Sequence, residues 1–215
     1  MYTDEDHNAD GRHISYLRDP VLAQLDPELH AGLARIVEKG RRSVRAIAAS
    51  KLLPANTTFF PASISDKAED AKLVRSERAR HRAVWLKKAL TTARGHELVF
   101  LDPDNGIETI SVHQHSPKSG KYAYWNELEA FWAQGHSLIV YHHLNRTATV
   151  ARQAEILREK FTERFPDAPL IKHFLARRGS CRHFWIVSQD RHLRSLSAAI
   201  DRISQDTLRA CLELG

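Results

Sequence analysis

Cysteine is scarce. Two residues, Cys181 and Cys211, in a chain of 215 cannot build a disulfide framework or a cysteine metal cage. Long hydrophobic runs are missing as well. None approaches the roughly 20 residues of a membrane-spanning helix, so no membrane partner is expected. Residues 1–10 are polar and acidic where a secretory signal would be basic and then apolar, so a reducing cytoplasm is the expected home. Glycine is sparing too: nine residues, with no G-x-G before residue 95, which removes the usual glycine-rich phosphate turn from the first half. With no repeat, low-complexity tract or linker, residues 1–215 are expected to form a single domain, with 1–20 irregular.

What is present fits a soluble globular protein: 42% hydrophobic and 27% charged residues. A net charge of +6 and a pI near 9.5 permit a nucleic acid partner. The 13 histidines are scattered. Only His142-His143 and the pair His113 and His115 fall near the acid-rich segment at 101–108.

The pattern of elements predicts an α/β fold. Asp26-Pro27 is an N-cap followed by proline at the first helical position, and Gly40 ends that helix. Ser43 caps a short helix, and Thr57 to Phe60 is a short strand candidate between prolines. A long basic helix is expected from Ser65 or Asp66 to about Ala93, its outer face solvated and laced with i,i+4 ion pairs. Strands follow at 98–101 and 137–141, separated by a helix over 126–134 capped by Asn126. An amphipathic helix carries Val150, Ala154, Leu157, Phe161 and Phe165 on one face. Leu170 to Ala176 and His183 to Ser188 read as a hairpin, and a last helix starts at Asp190. The order strand, helix, strand, helix and closing hairpin predicts a single three-layer, Rossmann-like domain, with a mostly parallel sheet and a C-terminal antiparallel hairpin, and the apolar continuity of strand 137–141 fits a strand covered on both faces. Strands 98–101 and 137–141 are expected to be parallel, adjacent and central.

The most informative stretch is Leu101-Asp102-Pro103-Asp104-Asn105-Gly106-Ile107-Glu108. Three carboxylates and an amide gather where an apolar strand ends, and open α/β sheets bind ligands at the carboxyl ends of strands. A turn alone accounts for Asn105-Gly106, but poorly for Asp102 and Glu108. The next strand ends in His142-His143-Leu144-Asn145-Arg146. Asp102, Asp104, Asn105, His142 and Asn145 are therefore expected in one cleft. The long polar connection 107–124 is expected to act as a lid.

From about residue 96 to 188 the chain resembles the second half of class I S-adenosylmethionine-dependent methyltransferases. These carry a strand ending in a motif such as Asp-Pro-Pro-Tyr, then a helix, a strand, a helix and a hairpin. Asp102-Pro103-Asp104-Asn105 looks like a variant of that motif. The resemblance implies that Asp102 accepts a hydrogen bond from a target amine and that Pro103 shapes the turn. Asn105 stands where the family has a stacking aromatic, a place Tyr122, Tyr124 or Trp125 could fill from the long loop. It also implies S-adenosylmethionine as cofactor, although the glycine-rich turn that would hold it is missing. The whole chain is also similar to bacterial proteins with a Phe-Leu-Asp-Pro-Asp-Asn-Gly strand end and a Lys-Tyr-x-Tyr-Trp segment, a likeness that implies no activity.

Three chemistries are open at this point. In methyl transfer to an amine of a nucleic acid or related substrate, Asp102 and Asn145 hold and orient, while Arg146 and Lys121 meet phosphate. In metal-dependent phosphodiester hydrolysis, Asp102, Asp104 and Glu108 offer hard oxygen ligands to Mg²⁺ or Mn²⁺, with His142 and His143 nearby. The third is a non-catalytic Rossmann-like binding protein.

Overall fold

The computed structural model of the chain describes residues 14–41, 43–64, 73–177, 181–205 and 212–215. In chain order the helices are α1 (Pro20–Leu25), α2 (Pro27–Glu38), α3 (Val44–Ala49), α4 (Arg75–Ala93), α5 (Trp125–Ala133), α6 (Val150–Arg164) and α7 (Leu193–Gln205). The strands are β1 (Leu98–Leu101), β2 (Gly106–Ile107), β3 (Tyr122–Ala123), β4 (Ser137–His143), β5 (Leu170–Ala176), β6 (Arg182–Ser188) and β7 (Leu212–Leu214). The N-caps at Asp26 and Ser43 form as their sequence signals require: the Asp26 carboxylate accepts from Leu29 N–H, and Ser43 Oγ from Ala46 N–H.

The fold is α/β, but the sheet is mixed rather than mostly parallel. Its five strands run in the order β1-β4-β6-β5-β7, and β2 and β3 form a small parallel pair of their own. Only β1 and β4 are parallel neighbours in the large sheet; β4–β6, β6–β5 and β5–β7 are antiparallel. The hairpin forms, but it folds back so that β6 slides between β4 and β5. An unbroken apolar run reports that both faces of a strand are covered and says nothing of its direction. Leu138 and Val140 on β4 and Trp185 and Val187 on β6 are equally buried, although their strands run oppositely.

β1 and β4 are adjacent and parallel as expected, but β1 is the edge strand. Leu98 and Phe100 are 41% and 56% exposed. Thr57 to Phe60 forms no strand; Phe60 instead packs edge-on against Trp85 of α4. The long basic helix starts at Arg75, because the Val74 N–H is capped by the Glu77 carboxylate. Its expected opening at Ser65 or Asp66 lies outside the described residues. The cap of α5 lies two residues before the expected Asn126, for the same kind of reason: Tyr124 is its N-cap, and Glu127 reaches back to the cap N–H.

One sheet face carries Val99, Leu138, Val140, Trp185 and Val187. It packs on α4, α5 and α6 through Ala89, Ala93, Leu128, Phe131, Leu157, Phe161 and Phe165. The Phe161 ring is 4.9 Å from both Trp125 and Trp185. The opposite face packs on α7 through Phe174, Ile186 and Ile200, with Ile139 and Leu170 at the margin. Phe100, Tyr141 and Phe184 lie on this second face, toward the β1 edge.

Candidate functional site

The register of β1 on β4 pairs Leu101 with Val140, so the chain leaves the sheet beside Tyr141. Pro103 to Gly106 closes a tight turn in which Gly106 N–H donates to Pro103 O at 3.2 Å. Gly106 has φ +98°, and a Cβ there would fall 2.6 Å from His142 Nδ1 and 2.7 Å from His142 Cα. Only glycine passes at that distance and dihedral. The close approach lets Ile107 N–H donate to His142 Nδ1 at 3.1 Å. That bond requires a neutral ring protonated on Nε2. Burial, with further opposition from the His183, His143 and Lys160 charges, pushes the His142 pKa down to about 4. His142 is thus the buried bracket that fixes the turn, 7% exposed.

On the turn itself, Asp102 and Asp104 are exposed, Pro103 is buried and Asn105 half-buried. Asn105 N–H donates to Lys121 O, and Lys121 Nζ lies 3.5 Å from Asp104 Oδ2. Asp102, Asp104, Tyr141 and Arg182 form one electrostatic group. Partial burial raises the Asp102 carboxyl above its ordinary value; the Asp104 charge raises it further and Arg182 opposes. Tyr141 is raised first by burial and then by Asp102 and Asp104, again against Arg182. Tyr141 Oη bonds His143 Nδ1 at 3.2 Å, and Arg182 sits opposite His143 across the β4–β6 ladder. Phe184 lies 5.7 Å from Tyr141 and 6.5 Å from Phe100, so an aromatic wall rises beside the carboxylates.

The site therefore joins Asp102, Asp104, Asn105, Lys121 and His143 from the sequence candidates to Tyr141, Arg182, Phe100 and Phe184, which sequence reasoning passed over. Tyr141 reads as core because its strand is uniformly apolar. Arg182 arrives only because β6 inserts beside β4, which no local pattern announces.

Other candidates serve elsewhere. Glu108 Oε1 accepts from Trp125 N–H at 2.9 Å and so caps α5. Tyr124 is 1% exposed and its hydroxyl donates to Val112 O, so it offers no stacking surface; burial lifts its pKa to about 12. The Tyr122 carbonyl accepts from Arg82 Nη2, which ties β3 to α4. Asn145 closes the loop before α6: its side-chain oxygen accepts from Thr147 and its carbonyl from Gln153 Nε2. Arg146 is exposed on that loop. The expected lid is fastened at its far half. Arg78 donates to His115 O at 2.7 Å and Arg82 to Ser119 O at 3.0 Å.

Among the described residues neither implied cofactor finds a cradle of the kind expected for it. Among the described residues no strand precedes Leu98, and no glycine-rich turn follows one, so these residues do not fit S-adenosylmethionine as the resembling family holds it. The trio Asp102, Asp104 and Glu108 is split by the capping role of Glu108. Among the described residues no group of three or more His, Cys, Asp or Glu is placed to hold a metal ion. No helix of the described residues is long and apolar enough to cross a membrane. Comparison with protein-family models, with curated proteins and with solved structures gives no match.

Proposed function

We propose that the chain binds an amine-bearing nucleobase, in nucleic acid or a related substrate, at the carboxyl end of β1 and β4. The observation that carries this reading is the pairing of the Asp102 carboxylate with the Phe100–Phe184–Tyr141 wall. An exocyclic amine needs an acceptor in the ring plane, and the ring itself needs an aromatic face. Base–aromatic stacking contributes about 1–3 kcal/mol per base. Asp102 accepts the amine hydrogen, Phe100 offers the exposed face, and Arg182 and Lys121 balance the two carboxylates and any phosphate. Methyl transfer to that amine is the activity the family resemblance implies, and it needs a cofactor cradle that the described residues do not form.

Asp102→Ala should abolish the preference for amine-bearing bases and leave the fold nearly unchanged. Because burial raises the Asp102 pKa, its ionised form at neutral pH is held at some cost to the folded state, and removing it relieves that cost. Stability should stay within about 0.5 kcal/mol of wild type, as for a surface substitution. The check is a thermal-shift series with AMP, CMP and TMP on both proteins. AMP and CMP stabilising wild type but not the variant, with TMP inert, is the expected pattern. Equal responses of wild type to all three nucleotides would overturn the reading. Adding S-adenosylmethionine and S-adenosylhomocysteine to the screen tests the catalytic extension, since a ligand at 100 times its Kd stabilises by about 2.7 kcal/mol.

A further inference from the structure

α4 buries one face and leaves the other basic. Arg82, Ala89 and Ala93 point inward. Arg80, Val84, Lys87, Lys88 and Thr91 fall within about 100° of one another on the opposite side, and all are exposed. Among the described residues the i,i+4 ion pairs expected on this face do not form at Arg80, Lys87 or Lys88, while Asp66, Glu69 and Asp70 lie outside the described residues. Glu77 is the one acid within three or four residues of Arg80, Lys87 or Lys88, and its carboxylate is turned back onto Val74 N–H. Among the described residues no ion pair involves Arg80, Lys87 or Lys88.

The stripe runs on past the helix. Arg94 is the C-cap of α4 and also lines an open cleft of about 660 Å³, with His96, Glu97, Gln134, His136 and Arg191. In that cleft His136 is 3% exposed. Its Nδ1 donates to His96 O at 2.7 Å, and its Nε2 has no partner among the described residues. The negative end of the α4 dipole accounts for Arg94 at the C-cap. It does not reach Lys87, Lys88 or Arg80. From Arg80 to Arg94 the row spans about 21 Å at 1.5 Å per residue.

We propose that this stripe, Arg80–Lys87–Lys88–Arg94 with Arg191 at its end, is a track for the phosphate backbone of single-stranded nucleic acid. The inference rests on the nucleobase reading of the β1–β4 site, which requires an unpaired base, and it supplies the sequence-independent half of recognition that such a site lacks. Cations in a row without acid partners among the described residues lose little by meeting phosphates and gain by releasing condensed counterions. An acidic protein is the poorer fit, because Val84 is the one sizeable apolar side chain on the stripe and offers no core for a protein interface.

The test uses a fluorescein-labelled 20-mer of deoxythymidine, which has phosphates but no exocyclic amine, beside a 20-mer of deoxyadenosine. Anisotropy titrations across a salt series should show wild type binding both, with log K falling linearly in log salt. R80Q/K87Q/K88Q/R94Q should weaken both oligomers roughly 100-fold at low salt and reduce the slope by about 2.8, at about 0.7 per lost phosphate contact on a single strand. The half variants R80Q/K87Q and K88Q/R94Q should each remove about half of that slope, which keeps the test decisive if the quadruple variant folds poorly. A control, R152Q/R164Q, removes two cations that already have acid partners, Glu155 and Glu129, and should leave binding unchanged. Unchanged slopes in the stripe variants, an equal loss in the control, or a polyglutamate peptide of matched charge binding as tightly as the oligomers would each overturn the proposal. Failure of the nucleobase site reads differently: adenosine and thymidine oligomers would bind wild type alike while the stripe variants still lost affinity.

Discussion

Replacing Glu127 with alanine should cost the fold about 3–5 kcal/mol, the range for breaking a buried ion pair from one side. Arg82 and Glu127 are 6% and 3% exposed, and the guanidinium meets the carboxylate at two points, 2.6 and 2.8 Å. Arg82 also donates to the carbonyls of Ser119 and Tyr122, and its guanidinium lies 4.4 Å from the Tyr124 ring centroid. Glu127 accepts from Tyr124 N–H as well. One pair thus fastens α4, the end of the 107–124 connection, β3 and the first turn of α5. Removing the acid leaves a buried guanidinium with only carbonyl partners. In a chain of this size the loss corresponds to a drop in Tm of roughly 6–20 °C. Arg82→Met should cost about as much, by leaving the carboxylate bare. The double variant Arg82→Met/Glu127→Leu should recover much of the loss, since two apolar side chains replace a pair whose desolvation is itself costly. Urea melts of Arg82→Met, of Glu127→Leu alone and of the double variant decide: additive losses in the double variant would mean that the pair is not coupled.

This pair shows where the sequence is legible and where it is not. Local signals act over three or four residues, and most of them read well, the displaced cap of α5 and the missing strand at 57–60 apart. Asp26 and Ser43 cap their helices, Gly40 at φ +66° follows the end of α2, and Leu157, Phe161 and Phe165 face the core. Arg82 meets Glu127 across 45 residues, and nothing near either residue announces it. The same holds for the sheet. Strand positions follow from apolar runs, but the insertion of β6 between β4 and β5 depends on distant pairings such as His142 with His183. The candidate site inherits that division. Asp102 and Asp104 stand out as carboxylates at a strand end. Tyr141, Phe184 and Arg182 become site residues only through the unforeseen neighbour. His142 invites a ligand role on paper because a histidine at a strand end is so often functional. It is drawn inward by Gly106, whose missing side chain admits the Ile107 N–H.

Acid should unfold this protein well before ordinary carboxylate titration would. Three histidines, His142, His173 and His183, lie on neighbouring strands β4, β5 and β6, at 7%, 6% and 0% exposure. His173 is 4.5 Å from both the His183 and Trp185 rings. Neither ring nitrogen of His183 has a hydrogen-bond partner among the described residues. Burial, aided by neighbouring positive groups, lowers each pKa from 6.5 to about 4. The unfolded chain therefore takes up protons from pH 6.5 downward, while the folded chain refuses them until about pH 4. Stability from this source is flat above pH 6.5 and falls as pH drops from 6.5 to 4. At pH 5 the loss is about 2 kcal/mol per histidine, at 1.36 kcal/mol per pKa unit, and less than three times that in total because the rings share neighbours. Asp102 opposes the trend weakly, since its raised pKa lets the folded state take a proton first. Urea midpoints measured at pH 7.5, 6 and 5 should fall steeply only below 6.5. His183→Leu should flatten that fall by about a third without disturbing a hydrogen bond, and NMR titration of the remaining rings should place them below pH 5. A midpoint unchanged between pH 7.5 and 5, or rings titrating near 6.5, would show that these histidines are hydrated and that the core beneath β4 and β6 is more open than their burial requires.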